Sequence, residues 1–328
     1  MLRLASIAAA LAIMAGSALA QEKATLQLNW FPSADHTPIY LAKQKGYYAR
    51  EKIDLTIVRG QGSADSAQKI QLKQAEFGIA DTPTVVTAIS KGADLRLVGI
   101  VFDKGPSNIF FLKSSGIKGP KDLVGKKIAA PPGDSHRLLW PSFAKANGID
   151  PATIDLVNVQ PQGKQAILAG KSVDAVFELY TGRGLMEAAV GAENLGHMLF
   201  ADHGVATYAH AYFVHTDLLK QKPDLIRGFL KATYEGWRDA LENPQAAVDA
   251  LAAEVQQGVD KKVYLQNFAL VADLVATERT RKNGLGWMSK EVMQETIDLT
   301  FSGGNMPRKV TPDEAFTNDL LTKITPKS

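Results

Sequence analysis

Leu26-Gln27-Leu28-Asn29-Trp30-Phe31-Pro32-Ser33-Ala34-Asp35-His36-Thr37-Pro38 is the stretch whose reading decides the fold. An apolar run over 26–30 reads as a strand that ends in a polar turn. Thr37-Pro38 reads as a helix start, a capping hydroxyl followed by proline at the first helical position. Gly46 closes that helix, with Lys43 and Lys45 in its last turn. The alternating run 53–58 is the next strand. Strand, turn, helix, strand is the unit of an open α/β sheet, and small ligands sit beyond the C-terminal ends of such strands. Trp30, His36 and a helix N-terminus meet at that edge.

Outward from this unit the alternation continues. The run 76–81 is a strand, followed by Thr82-Pro83 as a second capped helix start, and 95–102 is a buried strand. This order predicts a mainly parallel sheet with helices on both faces. At Asp103-Lys104-Gly105-Pro106-Ser107-Asn108 the composition breaks, and the chain is expected to cross into a second lobe. Strands are expected there at 109–112, 127–130, 155–159 and 173–177. A helix following Ser135 contains Pro141, which should kink it. The segment 201–209 reads as the return crossing, and 212–214 as a strand. From Pro223 onward the chain reads as helical, with Leu225, Phe229, Tyr234, Trp237 and Leu241 at helical spacing. The expected division is 1–20 as a leader, 21–104 plus 210–328 as the first lobe, and 105–209 as the second.

The start and the composition narrow the class. Met1-Leu2-Arg3, an Ala-rich apolar run from Leu4 to Leu19 and Ser17-Ala18-Leu19-Ala20 read as a cleaved export signal, with Gln21 the first mature residue. The run is shorter than the ~20 apolar residues of a membrane span. A mature chain of about 300 residues is near the size at which single cores stop growing, so two lobes are expected. The sequence has no cysteine, which excludes disulfides, a thiolate metal site and a lipidated cysteine at the cleavage point. With 37 basic and 34 acidic residues and no long block of like charge, nothing marks a nucleic-acid surface.

No motif for catalysis is present. The six histidines form no HExxH-like spacing, and there is no GxSxG, no GxGxxG after the first strand and no Walker loop. No metal site and no cofactor is expected. A different signal recurs: Ser63, Thr82 and Ser135 each stand where a helix follows a strand. Each is either a plain cap or part of a site that uses the free N–H groups of a helix start. His136 and Arg137 fall in the first turn of their helix, where cations oppose the helix dipole. They are either solvated or answered by an anionic ligand group. Trp30 either stacks a planar ligand or fills the core. Glu178 follows a buried strand and faces either solvent or the cleft.

The same residues resemble a known family. Asn29-Trp30-Phe31-Pro32 with Asp35-His36, then Tyr40-Leu41-Ala42-Lys43, Gly46-Tyr47-Tyr48 and the run 76–83 are similar to periplasmic substrate-binding proteins of ABC importers. The branch is that of thiamine-pyrimidine precursors, alkanesulfonates, taurine and nitrate. The runs 121–128 and 170–175 carry the likeness into the second lobe. The resemblance implies a type II periplasmic-binding-protein fold, with the ligand cleft between two lobes and a helical C-terminal part. It implies a monomer in the periplasm that serves an ABC permease in the inner membrane. A hydroxymethylpyrimidine-type thiamine precursor is the ligand expected first, an organic anion the alternative. The expected ligand-binding residues are Trp30, His36, Asp81, Thr82, Ser107, Ser135, His136, Arg137, Glu178 and Tyr180. Trp30 and His36 match the pair that holds the heterocycle in pyrimidine-precursor members. The fungal pyrimidine-synthesising relatives use a cysteine-rich motif, which this chain lacks; an exported or pyrimidine-synthesising enzyme on the same fold is the alternative class.

Overall fold

The computed structural model describes residues 21–255 and 258–326. The leader expected at 1–20 lies outside the described residues. Among the described residues no helix is long and apolar enough to cross a membrane.

The strands are β1 (Glu22–Gln27), β2 (Ile53–Val58), β3 (Phe77–Asp81), β4 (Leu95–Ile100), β5 (Ser107–Leu112), β6 (Lys127–Ala130), β7 (Asp155–Asn158), β8 (Ala175–Leu179), β9 (Leu195–Leu199) and β10 (His210–His215). They form two five-stranded sheets, ordered β2-β1-β3-β10-β4 and β7-β6-β8-β5-β9. The chain leaves the first sheet after Ile100, builds the second, and re-enters the first at His210. The fold is therefore α/β and two-lobed, with helices around both sheets.

The expectation of a mainly parallel sheet needs correction, because both sheets are mixed. β1 runs parallel to β2 and β3, but β10 is antiparallel to β3 and β4. In the second sheet β6 is parallel to β7 and β8, and β5 is antiparallel to β8 and β9. The cause is the double crossing. A strand that arrives from the other lobe starts at the end where its neighbours finish, so it runs against them. β9 was not expected at all. Its five residues include Gly196 and His197, and only Leu195 and Met198 are buried.

One aromatic column organises the first core. In the helix Pro223–Glu242, Leu225, Phe229, Tyr234 and Trp237 are buried, as their spacing predicts. Phe229 stacks on Phe77 of β3 with ring centroids 3.8 Å apart and planes 9° from parallel. Trp237 donates from Nε1 to the Tyr212 hydroxyl at 3.1 Å, and Tyr234 donates to the Ile100 carbonyl at 3.0 Å. Gly236 lets this helix lie against Thr37–Gln44. A Cβ there would fall 2.4 Å from the Pro38 carbonyl oxygen. The aromatics thus tie the helix after the second crossing to β3, β4 and β10, and Gly236 seats it on the helix of the opening unit. The C-terminal segment then covers the edge strand, Phe316 bridging Leu97 of β4 and the Thr317 N–H reaching the Leu97 carbonyl at 3.0 Å.

The first crossing is fixed from outside both sheets. Asp103 is buried and accepts from Arg279 Nε at 2.9 Å and from the Thr277 hydroxyl, while its N–H donates to Leu274 O at 3.1 Å. The helix Ser135–Ala146 runs on through Pro141, and the Ser142 hydroxyl donates to Leu299 O at 2.6 Å.

Phe229→Ala should destabilise the protein by about 3–5 kcal/mol, the cost of emptying a buried aromatic site. Equilibrium denaturant unfolding measures it. A loss under about 1 kcal/mol would mean that the column does not hold the lobe.

Candidate functional site

The two sheets meet across a cleft. From the first lobe it is lined by Asn29, Trp30, Asp35, Gly62, Ser63, Asp81 and His210, with Tyr264 and Asn267 from the C-terminal helices. From the second come Asp134, Ser135, His136, Lys164, Glu178 and Thr181. The opening turn is held at its tip by the Tyr264 hydroxyl, which donates to the Pro32 carbonyl at 2.9 Å.

The lobes touch directly. The Ser135 hydroxyl donates to Asp81 Oδ2 across the cleft. The Gly184 N–H donates to Asn267 Oδ1 at 2.8 Å. Gly62 faces Gly133 so closely that a Cβ would lie 2.5 Å from the Gly133 carbonyl oxygen, and its φ of 139° is one L side chains avoid. The arrangement is a closed one that depends on a glycine at the seam.

The helix starts differ from expectation by one residue. Asp134, not Ser135, caps the second-lobe helix, its Oδ1 accepting the His136 N–H at 2.9 Å. Asp81 occupies the cap position before Thr82, but its carboxylate does not cap. Ser63 lies inside its helix, and its hydroxyl instead accepts the Asp81 N–H at 3.0 Å. Thr82 donates to the Ala209 carbonyl at 2.8 Å. At His136 the Asp134 carboxylate answers inside the protein, accepting from both its N–H and its ring Nδ1, whereas Arg137 donates to a carbonyl and an amide oxygen and meets no carboxylate among the described residues.

Lys164 dominates the second wall. It is buried, 2.8 Å from Asp134 Oδ2 and 3.3 Å from Glu178 Oε2, and its Nζ lies 4.7 Å from the centre of the Trp30 ring. Burial favours a neutral amine, yet Asp134 and Glu178 outweigh it and raise the lysine pKa. Against the same burial, Lys164 and His136 hold Asp134 well below the usual carboxylate range.

The first wall carries a polar chain whose direction is set by one backbone amide. The Ser33 N–H donates to His36 Nδ1 at 3.1 Å. His36 therefore carries its hydrogen on Nε2 and gives it to Asn29 Oδ1 at 3.1 Å. That turns Asn29 Nδ2 toward His210 Nε2 at 2.8 Å, and His210 Nδ1 donates to Asp35 Oδ2 at 3.1 Å. Burial lowers the His36 pKa, in keeping with this neutral role. Burial pushes Asp35 up, but His36 and His210 overcome it and the net shift is downward. For His210, burial is outweighed by Asp81, Asp35 and Glu178, and its pKa is raised. A second proton on His210 would face the Asn29 amide donor and, 3.6 Å away, Asp81 Oδ1. That Asp81 oxygen is buried and has no hydrogen-bond partner.

Of the residues expected from sequence, Trp30, Asp81, Ser135, His136 and Glu178 line the cleft. The other five do not. His36 is fully buried behind Asn29 and acts through it. Thr82 is buried with its hydroxyl on the Ala209 carbonyl, and Ser107 is buried in β5. Tyr180 turns its ring onto Phe110 and His197, and its hydroxyl accepts from Arg183 at 2.8 Å. Arg137 points away, with Nη2 donating to Ala130 O at 2.6 Å and Asn158 Oδ1 at 2.7 Å.

Sequence reading missed Asn29, Asp35, Lys164, His210, Tyr264 and Asn267. Lys164 was findable, because it opens the helix Lys164–Ala169 and opposes the dipole as Arg137 does. Asn29 and Asp35 lay within the quoted stretch. Tyr264 and Asn267 sit on a helix with no local mark of function. Among the described residues no group of three or more His, Cys, Asp or Glu side chains could hold a metal ion.

The fold and its interlobe cleft are those of the two-lobed binding proteins. The alkanesulfonate-binding protein SsuA from Xanthomonas axonopodis pv. citri superposes with a TM-score of 0.66 at 18% identity, over 90% of this chain and 98% of that one. The chain belongs to the NMT1/THI5-like family, whose profile matches residues 33–247. A 4-amino-5-hydroxymethyl-2-methylpyrimidine phosphate synthase of Legionella pneumophila is 31% identical over 249 residues, 73% of this chain and 75% of that protein. A formylaminopyrimidine-binding protein of Halalkalibacterium halodurans is 22% identical over 308 residues, 91% of each.

Two outcomes follow. Gly62→Ala should leave a folded protein that cannot close fully, seen as a larger radius of gyration in solution scattering; an unchanged radius would mean the seam is not tight. The second concerns pH. With its folded pKa raised, His210 contributes stability that is complete below its unfolded value of about 6.5 and fades as pH rises through the folded value. Asp35 and Asp134, shifted down, contribute above about pH 4 and lose that contribution as pH falls. The Tm advantage of wild type over His210→Gln should therefore shrink between pH 5.5 and pH 8.5. A constant gap would show that His210 does not titrate against these carboxylates.

Proposed function

We propose that the chain is the solute-binding protein of an ABC importer, exported to the periplasm, where it acts as a monomer. It closes its two lobes on a small planar heterocycle and presents the loaded form to an inner-membrane permease. The observation that carries this reading is Asp81. One of its oxygens is held by Ser135 of the opposite lobe, and the other is buried without a partner. A ligand amino group fits that oxygen, and the flat face of Trp30 lines the same cleft. Closure that depends on contacts from both lobes lets the permease distinguish loaded from empty protein.

The charges favour a ligand rich in donors over an anion. Asp35, Asp81, Asp134 and Glu178 line the cleft, and Lys164 with the two imidazoles His136 and His210 faces them. Arg137, the side chain expected to grip an anion, is turned elsewhere. A hydroxymethylpyrimidine-type thiamine precursor has the required amino edge and ring, and the formylaminopyrimidine-binding relative supports that class.

The rival reading is synthesis of such a pyrimidine, as the name of the Legionella relative indicates for that protein. Binding is preferred because two of the cleft hydroxyls, those of Ser33 and Ser135, are committed to carboxylates. Ser33 donates to Asp35 and Ser135 to Asp81, while His36 Nδ1 beside Ser33 already accepts a backbone N–H. That leaves neither of these two hydroxyls paired with a free base.

Titration calorimetry with 4-amino-5-hydroxymethyl-2-methylpyrimidine tests the reading. Asp81→Asn should weaken binding about 10–100-fold, the worth of one hydrogen bond to a charged group, and Arg137→Ala should leave it unchanged. Equal binding by Asp81→Asn and wild type would move the ligand away from this carboxylate. Release of a pyrimidine that was not supplied to the protein would favour the enzyme.

A further inference from the structure

A second groove, with about 1300 Å³ of open space, shares Asp134 and Ser135 with the cleft but is lined differently. Its floor is two helix faces. The helix Thr82–Ser90 and the turn after it contribute Thr84, Thr87 and Lys91, at i, i+3 and i+7. The helix Ser63–Gln71 contributes alanines and Gln68. The facing wall, from the second lobe, carries Arg137 and Leu138.

Its charge is opposite to that of the cleft. Lys91 and Arg137 are its cations. Its carboxylate, Asp134, has Oδ1 committed to His136 and Oδ2 to Lys164. Six buried side-chain polar atoms among the described residues lack a partner, and three of them belong to this groove: Thr84 Oγ1, Thr87 Oγ1 and Arg137 Nε. Thr87 is only 5% exposed. Buried donors without acceptors carry a free-energy cost that a ligand oxygen would relieve.

We propose that this groove is a second binding site, separate from the cleft, for a small organic oxyanion with a phosphate or sulfonate head and a compact apolar body. Arg137 and Lys91 meet the charge, Thr84 and Thr87 donate to the oxygens, and the alanines and Leu138 take the apolar part. One wall belongs to each lobe, so the site is complete only when the lobes are closed. An occupant therefore favours closure, and by reciprocity a ligand in the main cleft tightens the hold on the oxyanion.

The test uses the full mature chain at constant ionic strength, titrated with inorganic phosphate and with phenyl phosphate against a chloride control. Saturable binding is expected, tighter for phenyl phosphate. Arg137→Gln should weaken it by about tenfold or more, as loss of a charge-assisted hydrogen bond requires. Thr87→Val, which keeps the side-chain shape, should weaken it several-fold, by about the net worth of a neutral hydrogen bond. Non-saturable binding, or binding equal in Arg137→Gln, Thr87→Val and wild type, overturns the site. Loss in Asp81→Asn with retention in Arg137→Gln would also overturn it, by placing the oxyanion in the main cleft.

Discussion

Everything at the cleft answers to one constraint, the burial of carboxylates at a seam between two lobes. Asp81 and Asp134 each stand where a strand gives way to a helix, one on either side. An isolated carboxylate away from water is strongly unfavourable. Asp134 is compensated within its own lobe by Lys164 and by His136. Asp81 is compensated only in part, by Ser135 from the opposite lobe and by a histidine 3.6 Å away. The difference underlies the roles proposed for them, Asp134 as structural and Asp81 as the acceptor offered to a ligand.

The same constraint explains why the site is assembled from so many elements. Lys164 reaches Asp134, Glu178 and the Trp30 ring at once, so the cation that neutralises the second lobe also touches the first. The chain from the Ser33 amide through His36, Asn29 and His210 to Asp35 orients the first wall, and its direction cannot reverse without losing a backbone hydrogen bond. Closure brings these two preorganised walls together, and the glycines at positions 62 and 133 let their backbones meet. Binding, on this account, completes a charge arrangement that the protein alone leaves unfinished.

Much of this was legible in the sequence. The opening stretch showed its strand, turn and helix because turn chemistry and a Thr-Pro helix start are local signals. The long helix with Phe229 and Trp237 was legible from spacing alone. Strand direction was not, because β5 and β10 are reversed by the double crossing, a property of the whole path. Ser135 reads as a cap or a site residue because its hydroxyl is a common cap, whereas the neighbouring Asp134 carboxylate makes the bond. Arg137 stands out in the sequence as a cation in a first turn, but its direction depends on Ala130 and Asn158, which no local pattern reveals. Tyr264 and Asn267 reach the cleft from far along the chain, so only the folded structure shows them.

The central claim is that an acidic, half-compensated cleft captures a donor-bearing planar molecule and releases it unaltered. Mass spectrometry of the small molecules released from protein purified from its native cells tests this most directly. The account predicts a nitrogen heterocycle with an amino or cationic edge, recovered intact in stoichiometric amount. A sulfonate or carboxylate anion bound in the Asp81 cleft would contradict it.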